Sequence, residues 1–377
     1  MARRLFFYGT LRDAETRDIV LGPYRDAVTV REAVLPDHAV RAVKGEDYPV
    51  ILREAGAEAT GIVLDGLPEE AVARLNFFED EFDYELVEAE ARTDAGPMPV
   101  ELFYVRGAHL KTDGAWDFGA WQATQQRAFA EAAVELMDLY GQVPPEQVDK
   151  IWPGIRFRAY ARARAHAETD VVKLRSKLTR DDVQMEPVER PYVDYYAVEF
   201  HKVTHPTFSG KTMGPLDRAI FCTGDAVCLL PYDPKSDTVL MLEQFRVGAL
   251  ARGAKVPWTI ETVAGRIDTI ESAEETARRE AREEAGLEIG RVVQLPSHYT
   301  SPGTLAEKMT CFIGEADLSG GGGLHGAEEE DEDIRTLILT VEEAKAAWES
   351  GEIENGPLLL NLLYLFMHHD RLRAEWG

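Results

Sequence analysis

Gly265, Glu271, Arg279, Glu280, Glu283, Glu284 and Gly286 stand in one short stretch of the chain, and their spacing is chemically suggestive. If the stretch from 272 is helical, Glu280 and Glu284 lie four residues apart on one face, with Glu283 close by. Like charges so placed repel by ~0.2–0.5 kcal/mol a pair in an isolated helix. A divalent cation reverses that sign. Magnesium takes oxygen ligands, usually one or two carboxylates together with substrate phosphate oxygens. The cluster is therefore costly empty and favourable with a metal and a diphosphate bound. Arg279 can pair with Glu271 and pin the preceding loop to the helix, a structural role. The plain alternative is a solvated, salt-bridged surface helix. Gly265, Glu271 and Gly286, all in register around the carboxylates, tell against it.

The elements that must position these groups can be read from their neighbours. Ser272 followed by Glu275 is a capping box, so the helix begins there. Gly286 supplies a left-handed stop. Three segments emerge along the chain. Residues 1–112 alternate in strand fashion, at the LFFY start, 59–64, 85–91 and 99–105, with turn residues between. Residues 113–184 read as a helical connector, interrupted at Val143-Pro144-Pro145. From 185 to 377 the strands resume, at 195–205, 217–232 and 238–247. Asp233-Pro234 and Ser236-Asp237 form a hairpin turn between the last two. The carboxylate helix follows, then two further strands, a glycine run at 320–323, an acidic stretch at 325–335 and terminal helices. This order predicts an α/β/α sandwich around a mixed sheet for the last segment.

Composition narrows the function. With 377 residues the chain exceeds one ordinary domain. Its 41 basic and 67 acidic residues leave a net charge of −26. Such a chain repels nucleic acid and anionic lipid at long range, so neither is an expected partner, and an anionic substrate would need metal to be held. The cysteines Cys222, Cys228 and Cys311 are an odd, sparse set that fits a reducing cytosol, and Cys222 and Cys228 sit in an apolar strand-like run as core residues. No apolar run reaches the ~18 residues that span a bilayer. The N-terminal stretch turns polar too soon for a signal peptide. The expectation is a soluble, cytoplasmic protein.

The residues from Gly265 to Leu287 resemble the Nudix box: Gly, five residues, Glu, seven residues, Arg-Glu, an aliphatic, any residue, Glu-Glu, any residue, Gly, an aliphatic. Ala281 fills one aliphatic slot, a departure that touches packing. That resemblance also implies the sandwich fold. Beyond the box, residues 195–377 are similar to the ADP-ribose pyrophosphatases of the Nudix superfamily, through RAIFCTGDAVCLLPYDP, VLMLEQFRVGA, PWTIETVAGRID, SPGTLAEK, HGAEEEDEDIR and GEIENGPLLLNLLYL. The resemblance implies magnesium-dependent hydrolysis of ADP-ribose to AMP and ribose 5-phosphate, with manganese as a substitute. Another sugar nucleotide as substrate, or nucleotide sensing without cleavage, are the alternatives. It also implies a homodimer.

Carried over position by position, the resemblance makes the Ala264 carbonyl, Glu280 and Glu284 metal ligands, with Glu283 assisting. Arg246 would contact the diphosphate, Arg218 would lie near the substrate, and Glu307 near the terminal ribose. Trp258 offers a π surface for a base, or a buried structural ring. Hydrolysis needs a carboxylate to deprotonate water. The family takes this base from the loop after the helix, which aligns with Glu330; Glu332 is the runner-up and could assist a metal. Glu328 and Glu329 read as a solvated turn. His325 matches a family loop position, and His368-His369 fall on a helix surface.

The first segment holds a second motif. Phe7-Tyr8-Gly9-Thr10-Leu11-Arg12 reads as strand, glycine turn and helix, with backbone amides able to bind an anionic group. With Tyr48-Pro49 and the stretch 75–85, residues 1–112 resemble the gamma-glutamylcyclotransferase-like superfamily, a small β-barrel. That resemblance places Glu79 as acid/base. Asn76 replaces the usual aspartate and Asp80 the glycine after the glutamate. A second enzyme, a ligand-binding domain and a structural domain remain as alternatives. The two-domain layout also resembles bacterial Nudix proteins linked to tellurite resistance.

Overall fold

The computed structural model describes residues 3–79, 84–105, 110–168, 174–267, 270–320, 322–325 and 333–377. Two compact units are present, Met1–Gly224 and Asp225–Gly377.

In the first unit, β1 (Arg3–Phe7), α1 (Ala14–Leu21), β2 (Thr29–Val43), β3 (Pro49–Leu67), α2 (Glu69–Glu79), β4 (Tyr84–Thr93), β5 (Gly96–Val105) and β6 (Thr112–Ala115) come first. They are followed by α3 (Phe118–Thr124), α4 (Gln126–Asp138), α5 (Val148–Ala167), β7 (Gln184–Met185), β8 (Glu189–Val193), β9 (Ala197–Pro206) and β10 (Thr212–Cys222). The sheet runs β3–β1–β5–β4–β2, and β2 pairs back onto β3, so five strands close into a barrel with β6 added on β2. Closure leaves no free edge among the five. Side chains of a strand alternate between faces, and the first strand serves two cores. Phe6 and Tyr8 pack with Leu35, Ile51 and Leu102, whereas Leu5 and Phe7 pack with α1, α2, α4 and α5.

The helices expected as a connector thus belong to the first unit's core, to which they contribute Phe129, Leu136, Trp152 and Ile155. The strands β7–β10, expected to open the last segment, also group with the first unit. Buried ion pairs explain it. Glu135, fully buried, holds Arg158 at 2.7 Å and Arg162 at 2.5 Å, and Arg162 on α5 reaches Glu199 on β9 at 3.9 Å. Arg158 also donates to the Tyr195 carbonyl at 2.8 Å. The run 217–232, which reads as one strand, is two. Between Cys222 and Ala226, Gly224 turns with φ 82°, and a side chain there would meet the Phe157 backbone at 3.1 Å.

The second unit contains β11 (Ala226–Asp233), β12 (Thr238–Phe245), α6 (Val247–Arg252), β13 (Trp258–Glu261), β14 (Val263–Arg266), α7 (Ala273–Ala285), β15 (Val292–Gln294), β16 (His298–Tyr299), β17 (Leu305–Ala306), β18 (Lys308–Glu315), β19 (Leu324–His325), β20 (Ile334–Thr340), α8 (Val341–Ser350) and α9 (Gly356–Trp376). Its sheet runs β15–β18–β11–β12–β20–β19, with β14 on β11 and β13 on β12. It is mixed: β18 lies parallel to β11, and β12 antiparallel to both β11 and β20. Alternation splits the central strands between two cores. Cys228, Leu230, Val239 and Met241 pack under α8 and α9, and Val227, Leu229, Leu240 and Leu242 pack under α7. This is the expected α/β/α sandwich. Cys222, Cys228 and Cys311 are free thiols in the interior.

Candidate functional site

The α7 helix begins where its sequence says it should. The Ser272 side chain accepts the Glu275 N–H, Glu275 returns the bond to the Ser272 N–H at 2.8 Å, and Gly286 closes the helix in the left-handed region with φ 64°. Ala277, Ala281 and Ala285, spaced by four, bury one face against the sheet. Their small side chains bring the helix close to β14. Ala281, the departure in the motif, is fully buried.

That close approach gathers the carboxylates. Glu284, 2% exposed, accepts the Ala264 N–H at 2.9 Å. Glu280 lies across Gly265 so tightly that a Cβ at Gly265 would collide with its carboxylate. Glycine is needed there for space, not for backbone freedom. Arg279 is the cation of the cluster. It donates to Glu271 at 3.1 Å and to Glu283 at 2.7 Å, and pairs with Glu280 at 2.9 Å. Burial works against its charge, but Glu280, Glu283 and Glu271 outweigh that and raise its pKa further. Glu271 is also held by the Thr276 hydroxyl at 3.0 Å. The expected pin between loop and helix is therefore present, while Glu283 turns to Arg279.

Arg246, just past β12, lies over a group that sequence reading passed by. Its guanidinium donates to Glu261 on β13 at 2.8 and 3.1 Å. Glu261 is 6% exposed. A glutamate buried in a strand needs a partner. Trp258 is not buried; it is 53% exposed and meets Phe245 edge-on at 5.5 Å. Glu307 accepts the Thr300 hydroxyl at 2.8 Å. Arg218 lies in the first unit, on β10, opposite His201. Glu330, Glu332, Glu328 and Glu329 lie outside the described residues. His325 stands beside Gly286 at the end of α7. His369 is not merely a surface residue, since its Nε2 meets Asp237 at 2.7 Å.

The first unit has its own site. Tyr8, Gly9, Thr10, Leu11, Tyr48, Pro49, Glu79, Tyr84 and Phe103 are among the residues that line one pocket. Pro49 packs 3.1 Å from where a Gly9 side chain would start. Burial pushes the Glu79 carboxyl up to about 8. Burial and the nearby Glu79 also raise Tyr8. Tyr84 is raised by burial, then by Tyr8 and Glu79. Asn76 sits on the exposed face of α2; Asp80 is outside the described residues.

Among the described residues no three His, Cys, Asp or Glu already stand together as a metal cage. Glu280, Glu284 and the Ala264 carbonyl would offer only oxygen, which suits a hard divalent cation.

Comparison with known proteins adds the following. Residues 223–358 match the Nudix domain, and residues 5–123 match gamma-glutamyl cyclotransferase, AIG2-like. The ADP-ribose pyrophosphatase of Escherichia coli (strain K12) is 37% identical over 198 residues, covering 52% of this chain and 94% of that protein. Its counterpart in Haemophilus influenzae is 30% identical over 200 residues, 52% of this chain and 92% of that one. The GDP-mannose pyrophosphatase of Escherichia coli O1:K1 / APEC is 38% identical over 156 residues, 40% of this chain and 78% of that one.

Proposed function

This chain belongs to the Nudix family, and from that membership we propose that its second unit hydrolyses the diphosphate of ADP-ribose to AMP and ribose 5-phosphate with Mg²⁺, or Mn²⁺ in its place. The observation that carries the reading is the packing of Glu280 over Gly265 and of Glu284 against Ala264. It brings two carboxylates to one short stretch of backbone, and oxygen ligands of that kind suit a divalent cation.

When bound, such a cation neutralises diphosphate charge and polarises the phosphoryl oxygens. The protein's own groups supply the rest. Glu280 and Glu284 would hold the metal with the Ala264 carbonyl. Glu283 joins them once it leaves Arg279. Arg246 orients the diphosphate, Glu307 contacts the substrate, and Glu330 takes the proton from water. The exposed Trp258 and Phe245 rings offer a face to a base. The resemblance to the ADP-ribose branch adds a homodimer, which light scattering of the purified chain would test.

The decisive assay offers ADP-ribose, other ADP-sugars, GDP-mannose and NADH to the full chain with Mg²⁺ or Mn²⁺. ADP-ribose should be cleaved fastest, and chelation should stop turnover. No mononucleotide from any of them would sink the proposal. Preference for GDP-mannose would move the substrate and keep the chemistry.

A second reading concerns the first unit. Glu79, desolvated among tyrosines and holding its proton near neutrality, suits an acid/base group acting on a γ-glutamyl compound. Formation of 5-oxoproline from γ-glutamyl amines, lost in Glu79→Gln, is the expected result. No product from the wild type would remove the enzymatic version and leave a binding domain.

A further inference from the structure

The segment carrying β13 and β14 is anchored by carboxylates at two points. Glu284 takes the N–H of Ala264. Three residues upstream, Glu261 takes Nε of Arg246 at 3.1 Å and Nη2 at 2.8 Å, a fork geometry. The Thr259 hydroxyl donates to the same carboxylate at 2.5 Å. The β12–β13 register sets Leu242 opposite Glu261 and Gln244 opposite Thr259. Thr259 and Glu261 therefore share one face, and Arg246 follows Gln244 by two on the opposing segment. The Arg246 main chain is fixed as well, its N–H donating to the Pro257 carbonyl at 2.8 Å.

A buried carboxylate in this position would repel a diphosphate, so it has no use as a direct substrate ligand. It acts on the arginine. The guanidinium carries five N–H donors. The fork uses one edge, and the side chain is 44% exposed.

We infer that Glu261, supported by Thr259, is a positioning residue that sets the guanidinium plane of Arg246 for the substrate's diphosphate. Because only Thr262 and Val263 separate Glu261 from Ala264, the same short segment carries the anion-binding arginine's anchor and the carbonyl assigned to the metal. Thr262 is itself tied to the Leu229 carbonyl on β11. The inference rests on the diphosphate-hydrolase reading.

The test uses the full chain with Mg²⁺ and two readouts: ADP-ribose kinetics, and calorimetric binding of inorganic pyrophosphate. Glu261→Gln should lower kcat/KM by roughly ten- to a hundredfold, mainly through KM, the loss of a charged hydrogen-bond partner. Pyrophosphate affinity should fall in parallel. Thr259→Val, a milder change, should lower both by a few-fold. In an Arg246→Ala background Glu261→Gln should add nothing, because its effect runs through the arginine. Unchanged kcat/KM and pyrophosphate affinity in Glu261→Gln would overturn the inference. So would a loss that multiplies with Arg246→Ala, the mark of general structural damage. If Glu261→Gln fails to fold, an unaffected Thr259→Val overturns it alone. A wild type that cleaves nothing defeats the hydrolase reading instead, and pyrophosphate binding then still decides the role of Glu261.

Discussion

Two glutamate sites in one chain are built on opposite principles. Around Glu79 the first unit removes water and supplies tyrosines, so the carboxyl holds its proton up to about 8. Around Glu280 and Glu284 the second unit supplies an arginine and a backbone N–H, partners for charged oxygens. The same side chain thus sits in surroundings that favour its neutral form in one place and its charged form in the other. Environment decides between the two roles, since burial favours the neutral form and hydrogen-bond donors favour the charged one.

Exchanging charge for neutrality should separate the sites. Glu284→Gln should reduce ADP-ribose turnover on the order of a thousandfold, because the metal site loses a charged ligand. Glu79→Gln should leave that turnover unchanged. Equal sensitivity of turnover to both changes would erase the contrast.

Gly265→Ala probes the second site without touching charge. The new methyl must displace the Glu280 carboxylate. A loss of roughly ten- to a hundredfold in turnover is expected, in line with misplacing a catalytic group by about 1 Å. Full activity would mean that Glu280 can serve from elsewhere.

Stability against pH probes the first site. Glu79 goes from 4.5 to about 8 on folding. The folded form therefore binds more protons across that window, and its stability falls as pH rises from 4.5 through 8, at about 1.4 kcal/mol per unit of pKa difference. Glu79→Gln should flatten this slope in urea unfolding of the first unit at pH 5 and pH 8. Glu199 carries the opposite sign. Burial opposes its charge, but His201, Arg190 and Arg162 prevail and hold it at about 2. Its contribution is present above 4.5 and is lost as pH falls toward 2. A slope untouched by Glu79→Gln would show that Glu79 ionises freely.

The smallest effect tests the frame beneath the second site. Ser272→Ala removes the cap of α7 and should cost about 1 kcal/mol of stability in thermal or urea unfolding. No change would mean that packing of Ala277, Ala281 and Ala285 alone sets the start of the helix.

Much of this was legible along the chain, for identifiable reasons. The α7 cap, its glycine stop and the Arg279–Glu271 pair involve residues within a few turns of one another, so spacing alone predicts them. The hairpin at 233–238 has the same local origin: Asp233 accepts the Lys235 N–H at 2.9 Å. What escaped depends on distant partners. The strand β2 went unread because Pro36-Asp37 interrupts its alternation; Asp37 has φ 53° and the pairing register shifts there. The run 217–232 was read whole because the backbone of Phe157, which forces glycine at 224, is far away in sequence. Glu261 was passed over because its meaning lies in Arg246, just past the end of another strand.

Residue types and spacing by themselves determined the carboxylate helix and the oxygen-rich chemistry it can support. These follow from periodicity and local hydrogen bonding, which act over a few residues. Tertiary structure alone decided that Glu280 rests on Gly265, that Glu261 grips Arg246 and that Glu79 is dehydrated enough to keep its proton. Each of those depends on which distant atoms exclude water or supply a donor, and only the folded chain brings those atoms together.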